Sequence, residues 1–236
     1  KLTFMRKNIL IIGGSKGIGN SLVKLLGNDH NLIVANRSNE GLESSNIKYI
    51  KFDALEGSIP KEELPEYIDG FVYCPGSINL RPFKGLRPQN FSDDFNINVL
   101  GAITCLQSVL DLLLKSEKAS VVFYSTVAVQ TGMPFHSSVA SSKGAIEGLT
   151  RSLAAEFAPK IRFNTIAPSI TDTPLSNKFL NSEIKIDKAK ERHPLKEIGS
   201  STDIAELTHF LLSDKSKWMT GQIIHLDGGI GDLKVN

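Results

Sequence analysis

Short runs of consecutive aliphatic residues recur along the chain, separated by stretches in which apolar residues return every three or four positions. The first run is Ile9-Leu10-Ile11-Ile12, and others cover 32–35, 70–74, 120–124, 162–167 and 222–226. Residues 48–52 alternate instead. Unbroken apolar runs of this length suit strands buried on both faces. Three of them stop at breakers: Pro75-Gly76, Pro168 and Asp227-Gly228-Gly229. Between them, 20–26 carries Leu22, Val23, Leu25 and Leu26. Residues 92–114 carry Phe95, Val99, Ile103, Leu106, Leu110 and Leu113 at helical spacing, and 138–157 carry Ala145, Ile146, Leu149, Leu153 and Phe157. A further helix, 202–212, opens with Thr202 and Asp203 as cap candidates. Alternating strand and helix signals predict an α/β chain with a doubly wound parallel sheet of about seven strands. No boundary or internal repeat divides residues 1–236, so one domain is expected. Residues 173–199 are polar and weakly periodic, and read as a flap or small helical insertion over a site.

The turn after the first strand is rich in glycine: Gly13-Gly14-Ser15-Lys16-Gly17-Ile18-Gly19. Strand, tight turn and helix N-terminus together make an anion site. Unpaired N–H groups and the positive end of the helix dipole point at one spot, and glycines admit a phosphate close to the backbone. The spacing is Gly13-x-x-x-Gly17-x-Gly19. It is not the G-x-G-x-x-G of many dinucleotide folds, because Leu22 stands where a third glycine would fall.

Bulk properties narrow the partners. A hydrophobic content of 41% in 236 residues supports a sizeable core. A net charge of +2 with no basic cluster gives no pointer to nucleic acid. Cys74 and Cys105 alone suit a reducing, cytoplasmic setting better than a disulfide scaffold, and no spacing suggests a metal. The continuous apolar runs fall short of the ~20 residues of a membrane helix. Lys1–Phe4 precede Met5 without the apolar run of a secretory signal.

Taken together, the motifs resemble the short-chain dehydrogenase/reductase family over nearly the whole chain. Gly13, Gly17 and Gly19 match its T-G-x-x-x-G-x-G turn, with Ile12 for the threonine. Asp53 matches the acidic residue after the third strand, and Asn98 the asparagine of the long helix. Pro168-Ser169-Ile170-Thr171-Asp172-Thr173 matches P-G-x-x-x-T, with serine for glycine, and 220–229 match the C-terminal strand and turn. The resemblance implies a one-domain Rossmann fold and a nicotinamide dinucleotide. The dinucleotide would be held by Gly13, Ser15, Lys16, Gly17, Ile18, Gly19, Asn36, Arg37, Ser38, Asp53, Ala54, Gly76, Lys143, Pro168, Thr171 and Thr173. It also implies homodimers or homotetramers built on the two long helices.

The departures fall at the chemistry. The family pairs a serine with Tyr-x-x-x-Lys. Here Lys143 is present, Val139 stands four residues before it, and Thr126 takes the serine position. By resemblance, Lys143 binds the nicotinamide ribose, Thr126 holds the substrate oxygen and Asn98 supports the site. Valine cannot donate a proton. His136, seven residues before Lys143, is a candidate donor, although its polar loop equally suits a surface histidine. Plain readings stand beside the others: Lys143 as a surface lysine, Thr126 as a strand end, Asp53 as a turn cap, Cys74 as a small core filler. At the end of the second strand, Asn36 is neutral, Arg37 follows, and Lys16 lies in the glycine turn. Two cations without a carboxylate favour NADP(H) over NAD(H). Two functions follow: hydride transfer between NADP(H) and a small carbonyl or alcohol, or a catalytically weak NADP(H)-binding sensor or scaffold.

Overall fold

The structure, a computed structural model, describes residues 6–42 and 47–234; Lys1–Phe4 lie outside them. The seven expected strands are present, each within one residue of its expected bounds. They are β1 (Asn8–Ile12), β2 (Asn31–Asn36), β3 (Ile47–Lys51), β4 (Gly70–Tyr73), β5 (Ala119–Tyr124), β6 (Ile161–Pro168) and, later in the chain, β9 (Ile223–Leu226). Their order is β3-β2-β1-β4-β5-β6-β9, with every neighbouring pair parallel. The chain therefore winds outward from β1 to one edge, then returns to β4 and winds toward the other. The crevice between β1 and β4 is the switch point of this sheet.

Both faces of the sheet are covered, which is why the strand runs are continuously apolar. One face presents Leu10, Ile12, Phe71, Tyr73, Val121 and Phe123 to a core shared with α3 (Gly101–Lys115) and α5 (Ser137–Phe157). The opposite face presents Ile9, Ile11, Val72 and Val122 to Leu22, Val23 and Leu26 of α1 (Gly17–Leu26) and to Ile204, Leu211 and Leu212 of α7 (Ser201–Leu212).

Two expectations need correction. The long helix starts not at Ser92 but at Pro88, a residue favoured in a first helical turn because it lacks an N–H. It runs as α2 (Pro88–Phe95), a π turn over Asn96–Leu100, and α3. The Tyr73 hydroxyl donates to the Ile97 carbonyl inside that π turn at 2.7 Å. Gly101 is glycine because a Cβ there would run into the same hydroxyl. The composite helix, 28 residues long, is apolar enough on average to match a membrane span by length and composition alone, although no continuous apolar run in it reaches that length. Here its apolar stripe of Val99, Ala102, Leu106, Val109 and Leu113 is spent on the sheet. Finally, the cap of α7 is Ser200, one residue before the helix. Its Oγ accepts the Asp203 N–H at 3.1 Å, while Asp203 Oδ2 accepts the Ser200 N–H at 2.8 Å.

Residues 173–199 contain a 3-10 turn (Asn177–Phe179) and α6 (Glu183–Arg192). Their two ends are drawn together by a two-strand pairing of β7 (Thr171–Asp172) with β8 (Gly199–Ser200). A four-residue α4 (Ala128–Thr131) follows β5.

The Tyr73 bond is a polar tie between the sheet and the irregular turn of the long helix. Tyr73→Phe removes it without changing the core volume. We expect a loss of about 1 kcal/mol in unfolding free energy, read from urea midpoints. An unchanged midpoint would show that the π turn does not need this bond.

Candidate active site

The loops leaving β1 and β4 meet at the switch point. Gly13 takes φ +82°, and a Cβ there would lie 3.0 Å from Cδ of Pro75. Gly17 takes φ +54° as α1 begins. Gly19 is buried, and a Cβ on it would strike the Gly13 carbonyl, so this glycine closes the turn rather than meeting a ligand. Lys16 occupies the N-cap of α1 without a side-chain capping bond, which leaves the first-turn amides around Ser15, Gly17 and Ile18 open to an outside acceptor.

The adenosine corner lies at the end of β2. Asn36 is 5% exposed and its Nδ2 has no hydrogen-bond partner among the described residues, a buried donor that an acceptor could satisfy. Arg37 and Ser38 are exposed beside it. The expectation of a corner without a carboxylate is corrected: Glu40 Oε2 lies 3.3 Å from Lys16 Nζ. Both side chains are well exposed, so the pair is weak and easily exchanged for a phosphate. Asp53 makes an Asx turn, accepting the Leu55 N–H at 3.0 Å, and Ala54 behind it is buried.

The centre of the site lies between β4, the long helix and α5. Lys143 and Val139 stand one turn apart on α5, with Val139 buried at 4% exposure. Lys143 Nζ reaches across to Gly76, 3.5 Å from where a Cβ would be. Burial pushes the Lys143 ammonium down to about 8, against the opposing pull of Cys74 and Asp94, which favour its charged form. Burial pushes the Cys74 thiol up to about 12. Asn98, on the π turn, accepts the Ser77 N–H at 3.3 Å and donates to Ser77 Oγ and Ser142 Oγ, each at 3.2 Å. It thus stitches the loop after β4 to α5. Thr126 Oγ1 accepts the Ala128 N–H at 3.3 Å, which leaves its own proton free to donate. His136 is the N-cap residue of α5, and its Nδ1 is engaged locally by the Pro134 carbonyl at 2.8 Å.

Residues 168–173 run from this centre to the glycine turn. The Pro168 carbonyl accepts the Val127 N–H at 3.0 Å, next to Thr126. Thr171, buried, donates to the Ser169 carbonyl at 3.0 Å. The Thr173 Cβ lies 3.4 Å from where a Cβ on Gly17 would be. One segment therefore reaches from beside Thr126 to the glycine turn.

Several polar groups around the centre escaped sequence reasoning. Asp94 is wholly buried, and its carboxylate accepts from Ser77 Oγ at 2.5 Å, Asn79 Nδ2 at 2.7 Å and Ser138 Oγ at 2.6 Å. Ser125 Oγ donates to the buried Glu147 at 2.6 Å. His193 pairs with Ser169 at 2.7 Å. The only signal in the sequence was the serine replacing glycine at 169; the partners are too distant along the chain for spacing to reveal them.

Comparisons with known proteins agree with this geometry. Residues 60–231 match the family model described as Enoyl-(Acyl carrier protein) reductase. A 3-oxoacyl-(acyl-carrier-protein) reductase of Staphylococcus epidermidis is 28% identical, with 96% of this chain and 99% of that protein covered. Among solved structures, ElxO with NADP bound superposes with a TM-score of 0.84 at 28% identity, covering 96% of this chain and 99% of that one. The ligand-free aldohexose dehydrogenase of Thermoplasma acidophilum shares the fold with a TM-score of 0.88 at 22% identity, covering 99% and 98%. With turn, sheet order and sequence match in agreement, the chain belongs to the short-chain dehydrogenase/reductase family.

Proposed function

We propose that this protein is an NADP(H)-dependent oxidoreductase that moves a hydride between nicotinamide and a small carbonyl or alcohol. The observation that carries this reading is the Lys143 ammonium, set beside Gly76 in the loop after β4 and pushed down to about 8 by burial. A relative named as a reductase and a structural neighbour with NADP bound support turnover over a sensor or scaffold role.

The dinucleotide would lie with its pyrophosphate on the amides of Ser15–Gly19, its adenosine toward Asn36, Asp53 and Ala54, and its nicotinamide ribose on Lys143. When bound, it supplies or accepts the hydride. Arg37 and Lys16 hold the 2′-phosphate, with Lys16 exchanging Glu40 for it. The free proton of Thr126 bonds the substrate oxygen and polarises it. Val139 carries no proton, so the Lys143 ammonium takes over that duty through water held beside it. An amine whose proton leaves near neutrality is suited to the task, whereas an ordinary lysine is not. His136, tied to its own loop, stands as a secondary donor.

Charge reversal tests the cofactor. In Arg37→Asp, NADPH affinity should fall by about tenfold or more while NADH affinity is spared, because a phosphate loses its cation and meets a carboxylate. Glu40→Gln should shift the balance toward NADPH. Equal losses for both cofactors in a titration would count against the assignment.

Lys143 gives a pH signature. Its charge is present below pH 8 and lost as pH rises through about 8. NADPH affinity should hold at neutral pH and decline above that point, and Lys143→Ala should be weak and flat across the range. Thr126→Ala should cost less cofactor affinity than Lys143→Ala. A wild-type profile that stays level to pH 10 would refute the role.

The outer surface of the long helix leaves Phe95, Leu100 and Leu114 exposed. We infer a homodimer or homotetramer joined there and along α5. Small-angle scattering at micromolar concentration should return at least twice the chain mass, and a monomer would overturn this assembly.

A further inference from the structure

His193 is 2% exposed, at the C-cap of α6, and has no part in the chemistry above. Its Nδ1 lies 2.7 Å from the Ala189 carbonyl and its Nε2 2.7 Å from Ser169 Oγ. A carbonyl oxygen only accepts, so Nδ1 carries a proton. In the neutral ring Nε2 is then bare, and the Ser169 hydroxyl must donate to it. Ser169 has one proton, and it is committed. To any other group, its oxygen offers lone pairs alone.

The ring is also held in place. A Cβ at Gly228 would lie 3.3 Å from His193 Cδ2, and Gly228 takes φ +62°, so the C-terminal turn packs against the imidazole. Ser169 itself is only partly buried. It sits at the Thr126 end of the 168–173 segment, away from the Thr173 end that meets the glycine turn. A fixed acceptor at that end suits a ligand group with N–H donors. The carboxamide of nicotinamide is such a group.

We propose that Ser169 and His193 form a positioning pair for the nicotinamide half of the dinucleotide: His193 locks the serine proton inward, and Ser169 Oγ accepts the carboxamide N–H. This rests on the dinucleotide reading above. Because His193 ends α6, the same bond ties the 173–199 segment to the bound nicotinamide. His193 is a positioning residue and touches no reacting atom.

The test uses calorimetric titration of the full chain with two ligands, NADPH and 2′-phospho-ADP-ribose, which lacks nicotinamide. Ser169→Ala and His193→Phe should each weaken NADPH by about tenfold, the worth of one hydrogen bond. Neither should change affinity for 2′-phospho-ADP-ribose. The double variant should be no worse than the singles, since both remove one bond. His193→Gln, whose side-chain carbonyl reaches the place of Nε2, should retain most of the NADPH affinity. Should His193→Phe fail to fold, Ser169→Gly removes the same bond with the residue of the family pattern and must give the same loss. Unchanged NADPH affinity in Ser169→Ala, or equal weakening of both ligands, overturns the pair while leaving the dinucleotide reading intact. A wild-type protein that binds neither ligand overturns both.

Discussion

Everything at the site depends on the close approach of the two loops that leave β1 and β4. In a doubly wound parallel sheet these strands are neighbours whose connections depart in opposite directions, so a crevice opens between them. This chain narrows that crevice until Gly13 meets the Pro75 ring and Gly19 meets the Gly13 carbonyl. A Cβ fits badly at either glycine, and the α1 amides are left facing outward. The outward-facing amides are thus a packing consequence of sheet topology. Lys143 reaches the same crevice beside Gly76, where a Cβ would lie 3.0 Å from Asn98 Oδ1.

Polarity around the lysine follows from what surrounds it. Burial disfavours its charge, while the Asp94 carboxylate and Cys74 oppose that shift. Asp94 spends its acceptors on Ser77, Asn79 and Ser138, from the loop after β4 and from α5. A buried carboxylate tolerates such a place only when several donors meet it. That network fixes three elements around the position where Val139 contributes only hydrocarbon. The family's tyrosine would bring its own hydroxyl; in this chain the fixed polar groups are serines, asparagines and an aspartate in the walls of the site.

Much of this was legible in the sequence, for identifiable reasons. Strands buried on both faces show as unbroken aliphatic runs and the half-exposed third strand as an alternation, so all seven were located to within one residue. The glycine turn announced itself through spacing, and Lys143 through resemblance to the family pattern. Local capping was read less well: Ser200 lies before the apolar periodicity begins, and Thr202 and Asp203 looked equally suitable. The π turn has no sequence signature, since its cause is a tyrosine from another strand reaching Ile97. Asp94, Glu147 and His193 remained hidden because their partners are distant in sequence. Glu40 was missed because the loop after β2 folds back over the glycine turn, where Asn20 Nδ2 donates to the Gly41 carbonyl.

The central claim is that these loops, Asn36 and Lys143 make a nicotinamide dinucleotide site that prefers the phosphorylated form. Isothermal titration of the unmodified protein with NADPH and with NADH at pH 7 tests it most directly. The account predicts one saturable site per chain, with NADPH bound more tightly than NADH. Heats indistinguishable from dilution for both would contradict it.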